Sequence, residues 1–395
     1  MVPLVLALAV SAPPEPQFAV SGAGARATGT LGALSLVAGA RVKTADGEKA
    51  VPSVVSVRQV GAALPPPPAG AHVITAAGDR VPGRVSGGDT KALRFTHASS
   101  GEDGPLALDA VAAVWLRPPP ADTPPDPARY VWLAGTPTRD VLLYRNGDTA
   151  RGSLTAFTDT GVKFTPDGGA AREVPLADLT AIGFNPRFVR PRKPKEAFAH
   201  LVLADGARFA ASEVNVKGDA LLCKAVVGPP VTVRLTDLVA LDVLQGPATY
   251  LADLKPKRAE TVGFLGDGWP WAPDRTVRGQ PLRLLAGGAE NTFDRGLGTH
   301  PKTTLAYDLA GKFTRFEAVV GLDAVSGKRG RAAVRLLVDG KEVPLPDLKT
   351  LAAGDARAIS VELKGAKELV LVIDFGPAGD VQADVNWGNA RLLSE

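Results

Sequence analysis

A single cysteine in 395 residues excludes an intrachain disulfide framework and any metal site built on paired cysteines. Histidines number four and aromatics make up only 6% of the chain. No HExxH, no GxSxG and no glycine-rich phosphate loop ahead of a helix is present, which removes zinc proteases, serine hydrolases and P-loop enzymes. No run approaches the roughly 20 apolar residues that a membrane helix needs. The formal net charge of +4 is too small to imply a nucleic-acid partner by itself.

Glycine (43) and proline (34) are abundant, with 45% apolar and 22% charged residues. Many short strands joined by tight turns give that balance, so the chain reads as all-β. Its length implies two or three domains. Residues 1–12 form an apolar run ending in small residues, which resembles an export signal although it lacks a basic start and is followed by Pro13 and Pro14. A secreted, periplasmic or cell-envelope location is therefore expected.

A repeat emerges when the chain is compared with itself. Its clearest copy is Val141–Leu154, with Asn146-Gly147-Asp148 between apolar runs; Val73–Val85 precedes it and Leu201–Ala211 follows it. A small residue stands five positions after each turn glycine: Gly83 after Gly78, Gly152 after Gly147, Ala211 after Gly206. Gly24 and Gly29 mark a degenerate first copy. The first glycine supplies the positive φ of a hairpin turn, and the second allows a sharp strand bend. The units close alike, at Ala107–Val114, Pro175–Ile182 and Arg234–Leu241, with Val51–Val57 as a weaker match. Each unit reads as a strongly bent sheet of four or five strands, SH3- or Sm-like. One such unit buries little, so the units are expected to pack in pairs. Repeats one and two span 17–117, a proline-rich linker 118–128, and repeats three and four 129–249. The unequal spacing of the turn glycines argues against a closed propeller. Cys223, in a strand-like run, reads as a small buried residue.

Arg187, Arg190, Arg192, Lys193 and Lys195 form a basic cluster between prolines. Read as a connector they are simply solvated; read with the faintly Sm-like repeat they would contact phosphates. Nucleic acid is the less favoured partner.

From residue 250 to 395 the repeat stops. About eight strands follow, with strict alternation in Ala358–Leu363 and a hairpin at Asp339-Gly340, as in a jelly-roll β-sandwich. Tyr250-Leu251-Ala252-Asp253-Leu254, Arg295–His300, Tyr307-Asp308-Leu309, Phe316–Asp323, Val372-Ile373-Asp374 and Asn386–Leu392 occur together and in that order. In these elements the segment resembles the NPCBM family of galactose-binding-like carbohydrate-binding modules. The resemblance implies noncatalytic binding of a glycan or glycoconjugate by a secreted protein. The family usually carries Asp or His just before its final Asn/Asp-Trp, where this chain has Ala383 and Asp384.

Sugar recognition needs an aromatic face and a few fixed donors and acceptors. Trp269, Trp271, Arg295, His300, Asp384, Asn386 and Trp387 are the candidate ligand-binding residues. Asp323 and Asp374, each at a strand end, are the candidate pair for a structural calcium; no other cofactor is indicated. No catalytic residue is assigned, and the chain reads as not an enzyme. The competing reading is a structural or protein-interaction scaffold, with envelope proteins as partners and a degenerate sugar site.

Overall fold

The computed structural model describes residues 15–394 except 122, 125–126, 134–137, 264–267, 346–347 and 378. The export segment expected at 1–12 lies outside the described residues. Apart from short 3-10 turns, the regular structure is β throughout, as the turn-rich composition requires. No helix among the described residues is long and apolar enough to cross a membrane.

Four five-stranded units fill Phe18–Gln59, His72–Trp115, Asp140–Gly183 and Phe198–Leu244. In each, the fifth strand returns to pair antiparallel with the first, closing a small barrel. The recurring closing motif is a 3-10 turn feeding that fifth strand: Leu108–Ala110, Leu176–Asp178 and Leu235–Asp237. Gly78, Gly147 and Gly206 take φ of 94°, 89° and 86° at the first hairpin. The long second strand of every unit carries a bulge, which bends it across the barrel.

The second glycine of the repeat is explained by crowding from the neighbouring strand, where the Thr96 and Thr165 carbonyl oxygens would lie 2.2 and 2.1 Å from a Cβ on Gly83 and Gly152 and a ring adds to the obstruction. A Cβ on Gly83 would sit 2.3 Å from Cζ of Phe95, and one on Gly152 would sit 2.8 Å from Cζ of Phe164. Unit four has Ala211 instead of glycine, and the residue at the phenylalanine position is Cys223. Burial pushes the Cys223 thiol up to about 12, so it behaves as a small apolar filler.

The units pair in a nested order. The fifth strand of unit one joins that of unit four, with Leu241 opposite Val57. The fifth strand of unit two joins that of unit three, with Val114 opposite Ile182. The connector after unit two folds back: Tyr130 and Trp132 stack at 5.9 Å and both pack edge-on against Trp115. In the basic connector, Arg192 makes two 2.8 Å bonds to Asp109, so part of that charge is spent on the fold.

The carboxy-terminal body is a two-sheet antiparallel sandwich. One sheet runs, in order, Ala272–Pro273, Gly296–Thr299, Val385–Leu393, Arg315–Leu322 and Arg357–Glu362, and Ala248–Tyr250 also pairs with Val385–Leu393. The other runs Arg258–Thr261, Thr303–Asp308, Glu368–Phe375, Arg331–Val338 and Lys341–Glu342. Leu305, Phe316, Val320, Leu371 and Trp387 are among the side chains filling the space between them.

Repeats and sandwich meet through an arginine–carboxylate junction. Glu317 accepts from Arg26 at 2.6 Å and from Arg391 at 3.0 Å, and Arg315 lies 3.1 Å away. Arg391 reaches Ser56 of unit one, and Arg315 donates to the Ala23 carbonyl. Behind them Arg58 grips Asp242 at 2.7 and 2.8 Å, and the Tyr250 hydroxyl donates to the same carboxylate. Burial alone would favour neutral acids, but Arg391, Arg26 and Arg315 around Glu317, and Arg58 and Arg391 around Asp242, outweigh it and hold both carboxyls below the ordinary range. Their stabilisation is thus present above an ordinary pKa of about 4 and is lost as pH falls through the folded-state values. Glu317→Ala leaves the buried Arg391 guanidinium short of its partner and is expected to cost about 3–5 kcal/mol in denaturant unfolding. That deficit should shrink in acid, where the wild-type carboxyl is itself protonated.

Candidate functional site

The register of three neighbouring strands creates the site. Val385, which opens the strand Val385–Leu393, pairs with Thr299 on one side and Leu322 on the other. The next residue outward on each strand is therefore His300, Asp384 or Asp323, and all three converge at one end of one sheet. The Asp323 N–H donates to the Asp384 carbonyl at 2.9 Å, locking the pair across the strand ends. One residue inward, Asn386 points to the outer face, flanked by Gly298 and Gly321. The segment Arg275–Leu284 lies over it: a Cβ on Gly298 would meet the Arg275 carbonyl at 2.4 Å, and one on Gly321 would lie 3.3 Å from Leu284. Only side-chain-free positions admit that close cover.

Asp323, Asp384, Asn386 and His300 are 2%, 4%, 1% and 6% exposed. Asn386 donates through Nδ2 to the Arg283 carbonyl at 3.2 Å, while its buried Oδ1 has no partner. His300 donates Nδ1–H to the Pro301 carbonyl at 3.0 Å, which leaves Nε2 for another partner. Arg278, with a 60% exposed side chain, reaches down to Asp384 at 3.3 Å and caps the cluster. The turn carrying Arg278 is tied to the repeats, because Arg129 donates to the Arg278 and Gly279 carbonyls at 3.2 and 3.1 Å.

Both carboxyls are raised above the ordinary range. For Asp384 the cause is burial, opposed by the charges of Arg278 and His300. For Asp323 it is burial first, opposed by the Val325 N–H and reinforced by the neighbouring Asp384 charge. Two buried carboxylates, an unpaired amide oxygen and one guanidinium make an acceptor-rich cluster that suits a ligand offering several hydroxyl donors.

The other candidates fall elsewhere. Trp387 is fully buried in the sandwich core and donates Nε1–H to Thr299 at 3.3 Å, so it offers no face to a ligand and its placement at the site is corrected. Arg295 is corrected too: it turns inward, 2.7 Å from Asp253, 3.2 Å from Asp274 and over the Tyr250 ring. Trp271 packs against the core, half-buried. Trp269 is 55% exposed, on the loop that follows Arg258–Thr261. Val262 on that loop donates to the Lys302 carbonyl, which brings the loop's start beside the turn holding His300. Asp374 is engaged by Lys302 at 3.1 Å, whereas Asp323 belongs to the Asp384 cluster. Among the described residues no group of three or more His, Cys or carboxylate side chains is arranged to hold a metal, so the calcium expectation finds no donor set there. Sequence reasoning missed Arg278 and Arg129, which lie in irregular segments with no periodic signal.

Raised carboxyls predict a pH-dependent stability effect. A native state with raised acid pKa values binds protons more tightly than the unfolded chain, so this contribution is present below about pH 4 and is lost as pH rises through the folded values. Asp323→Asn is therefore expected to raise the thermal midpoint at pH 7, with the gain vanishing below pH 4 in a pH series of melting curves.

Residues 248–393 match the NPCBM/NEW2 domain. Over 153 residues the chain is 31% identical to a protein of Renibacterium salmoninarum named as an endo-alpha-N-acetylgalactosaminidase, covering 37% of this chain and 9% of that protein. It thus spans under a tenth of that relative. A CBM51 module from Clostridium perfringens GH95, solved with methyl-galactose, is 25% identical and aligns over 37% of this chain and 99% of its own, with a TM-score of 0.34. The tandem CBM51 modules of a Streptococcus pneumoniae family 98 glycoside hydrolase align at 16% identity over 65% of this chain and 89% of theirs, with a TM-score of 0.34.

Proposed function

Because residues 248–393 form an NPCBM/NEW2 domain, we propose that this chain is an exported, noncatalytic glycan-binding protein whose ligand docks at the strand-end cluster of Asp323, Asp384, Asn386, His300 and Arg278. The observation that carries the proposal is the unpaired, buried Asn386 Oδ1 beside two buried carboxylates. A sugar that places hydroxyls on these three acceptors repays desolvation already spent in folding. Arg278 supplies a donor at the rim. Trp269, the exposed aromatic on the neighbouring loop, is the platform proposed for the apolar face of the ring. The ligand class is a neutral pyranose with adjacent hydroxyls, at the end of a glycan.

A second reading is favoured by the closure of the cluster under Arg278 and by the tie from Arg129. In it the site stays shut and the sandwich serves as one module of an envelope scaffold built on the repeats. Binding decides between them. Titration of the intact chain with glycans hit on an array is expected to show saturable binding, and Asp384→Asn should weaken it about tenfold or more, the loss of a charge-assisted hydrogen bond worth roughly 1.5–3 kcal/mol. Unchanged affinity in Asp384→Asn, or no hit on the array, would support the scaffold.

A further inference from the structure

A second recess lies where unit one meets the outer face of the sandwich, away from the strand-end cluster. Its volume is about 210 Å³, below the roughly 300–1,000 Å³ of pockets for drug-sized ligands and suited to a single ring. Val319 and Ala358 give it an apolar floor, and Ser360, Asn389 and Arg26 stand among its lining residues. Strand alternation explains the floor. Glu317 and Val319 share the outward phase of Arg315–Leu322, and Ala358 and Ser360 share that of Arg357–Glu362.

The charge is unbalanced. Glu317 is the one acid lining the recess, and both of its oxygens are already engaged, Oε1 by Arg26 and Arg315, Oε2 by Arg391. Three guanidiniums therefore surround a single carboxylate. The adjoining Arg58–Asp242 pair is neutral in sum and does not correct the excess. Arg391 is only 8% exposed, so its charge is poorly screened, whereas the Arg26 side chain is 64% exposed and uses Nη2 on Glu317.

We infer that this groove binds an acidic sugar, its carboxylate paired with Arg26 and attracted by Arg391, its ring on Val319 and Ala358, and its hydroxyls on Ser360 and Asn389. An anion is favoured because it neutralises guanidinium charge left over by the protein. A ring is favoured over a bare anion because the floor is apolar. The site needs both bodies, since Arg26 comes from the repeats and the floor from the sandwich.

The test uses the intact chain, amide-resolved NMR and three probes: D-glucuronate, D-glucose and sulfate. Glucuronate is expected to shift the amides of Val319, Ala358, Ser360 and Asn389, more tightly than sulfate, with glucose silent at these positions. Arg26→Ala should weaken glucuronate binding tenfold or more. Ala358→Phe, which fills the groove without removing a charge, should do the same. Both variants should keep whatever neutral-glycan binding depends on Asp384, and Asp384→Asn should keep glucuronate binding, so the two sites fail separately. Equal binding of glucose and glucuronate, sulfate binding as tight as glucuronate, shifts confined to residues 384–386, or full affinity in both groove variants would overturn the inference.

Discussion

The strand Val385–Leu393 sets the register on which both ends of the sandwich depend. It lies between Gly296–Thr299 and Arg315–Leu322, and every hydrogen bond to those neighbours fixes which residues emerge together. At its start the register aligns His300, Asp384 and Asp323. At its end the same strand delivers Arg391 to Glu317 and Leu393 to an apolar contact with Val55 and Ala248. The bulge opposite Glu317–Val319 separates the two tasks, with Asn389 at φ 50° in the groove between them. A slip of one residue would turn Trp387 outward and bury Asn386 in the core, so the site and the core specify each other.

The repeats extend this dependence beyond the sandwich. Arg208 of unit four holds Asp294 at 2.8 Å, directly before the turn that opens Gly296–Thr299, and also ties the carbonyls of Pro65 and Pro66. Arg129 holds the turn of Arg278. The strand-end cluster is thus framed by contacts from unit four and from the connector between units two and three. Two carboxyls kept close under burial are a local cost that the surrounding fold tolerates, as sites built for binding commonly require.

Much of the fold was legible in the residues. Asn146-Gly147, the second glycines and the closing segments Ala107–Val114, Pro175–Ile182 and Arg234–Leu241 encode turn, bend and return, because backbone conformations that need glycine leave a mark in sequence. Nesting of the pairs was harder to read, since the fifth strands are mainly apolar and the complementary charges at one junction, Arg58 of unit one and Asp242 of unit four, are single residues that no repeat marks. At the site, His300, Asp384 and Asn386 were visible as polar residues at strand ends. Alternation in Asp384-Val385-Asn386-Trp387 held the information that Trp387 shares the inward phase of Val385, and it outweighs the general affinity of tryptophan for sugars. Asp323 was visible as a strand-end acid, but its partner is Asp384, in the loop that follows the strand ending beside the expected Asp374. Arg278 and Arg129 act through irregular loops, where no period ties residue to role.

The central claim is that a glycan occupies the end of the sandwich at Asp384. The most direct measurement is a crystal structure of the intact chain soaked with a bound array glycan. The account predicts sugar hydroxyls within hydrogen-bond distance of Asp384, Asp323 and the now-satisfied Asn386 Oδ1, with Arg278 displaced to the rim. A sugar ordered elsewhere on the molecule, with Arg278 still on Asp384 and Asn386 Oδ1 still unpaired, would contradict it.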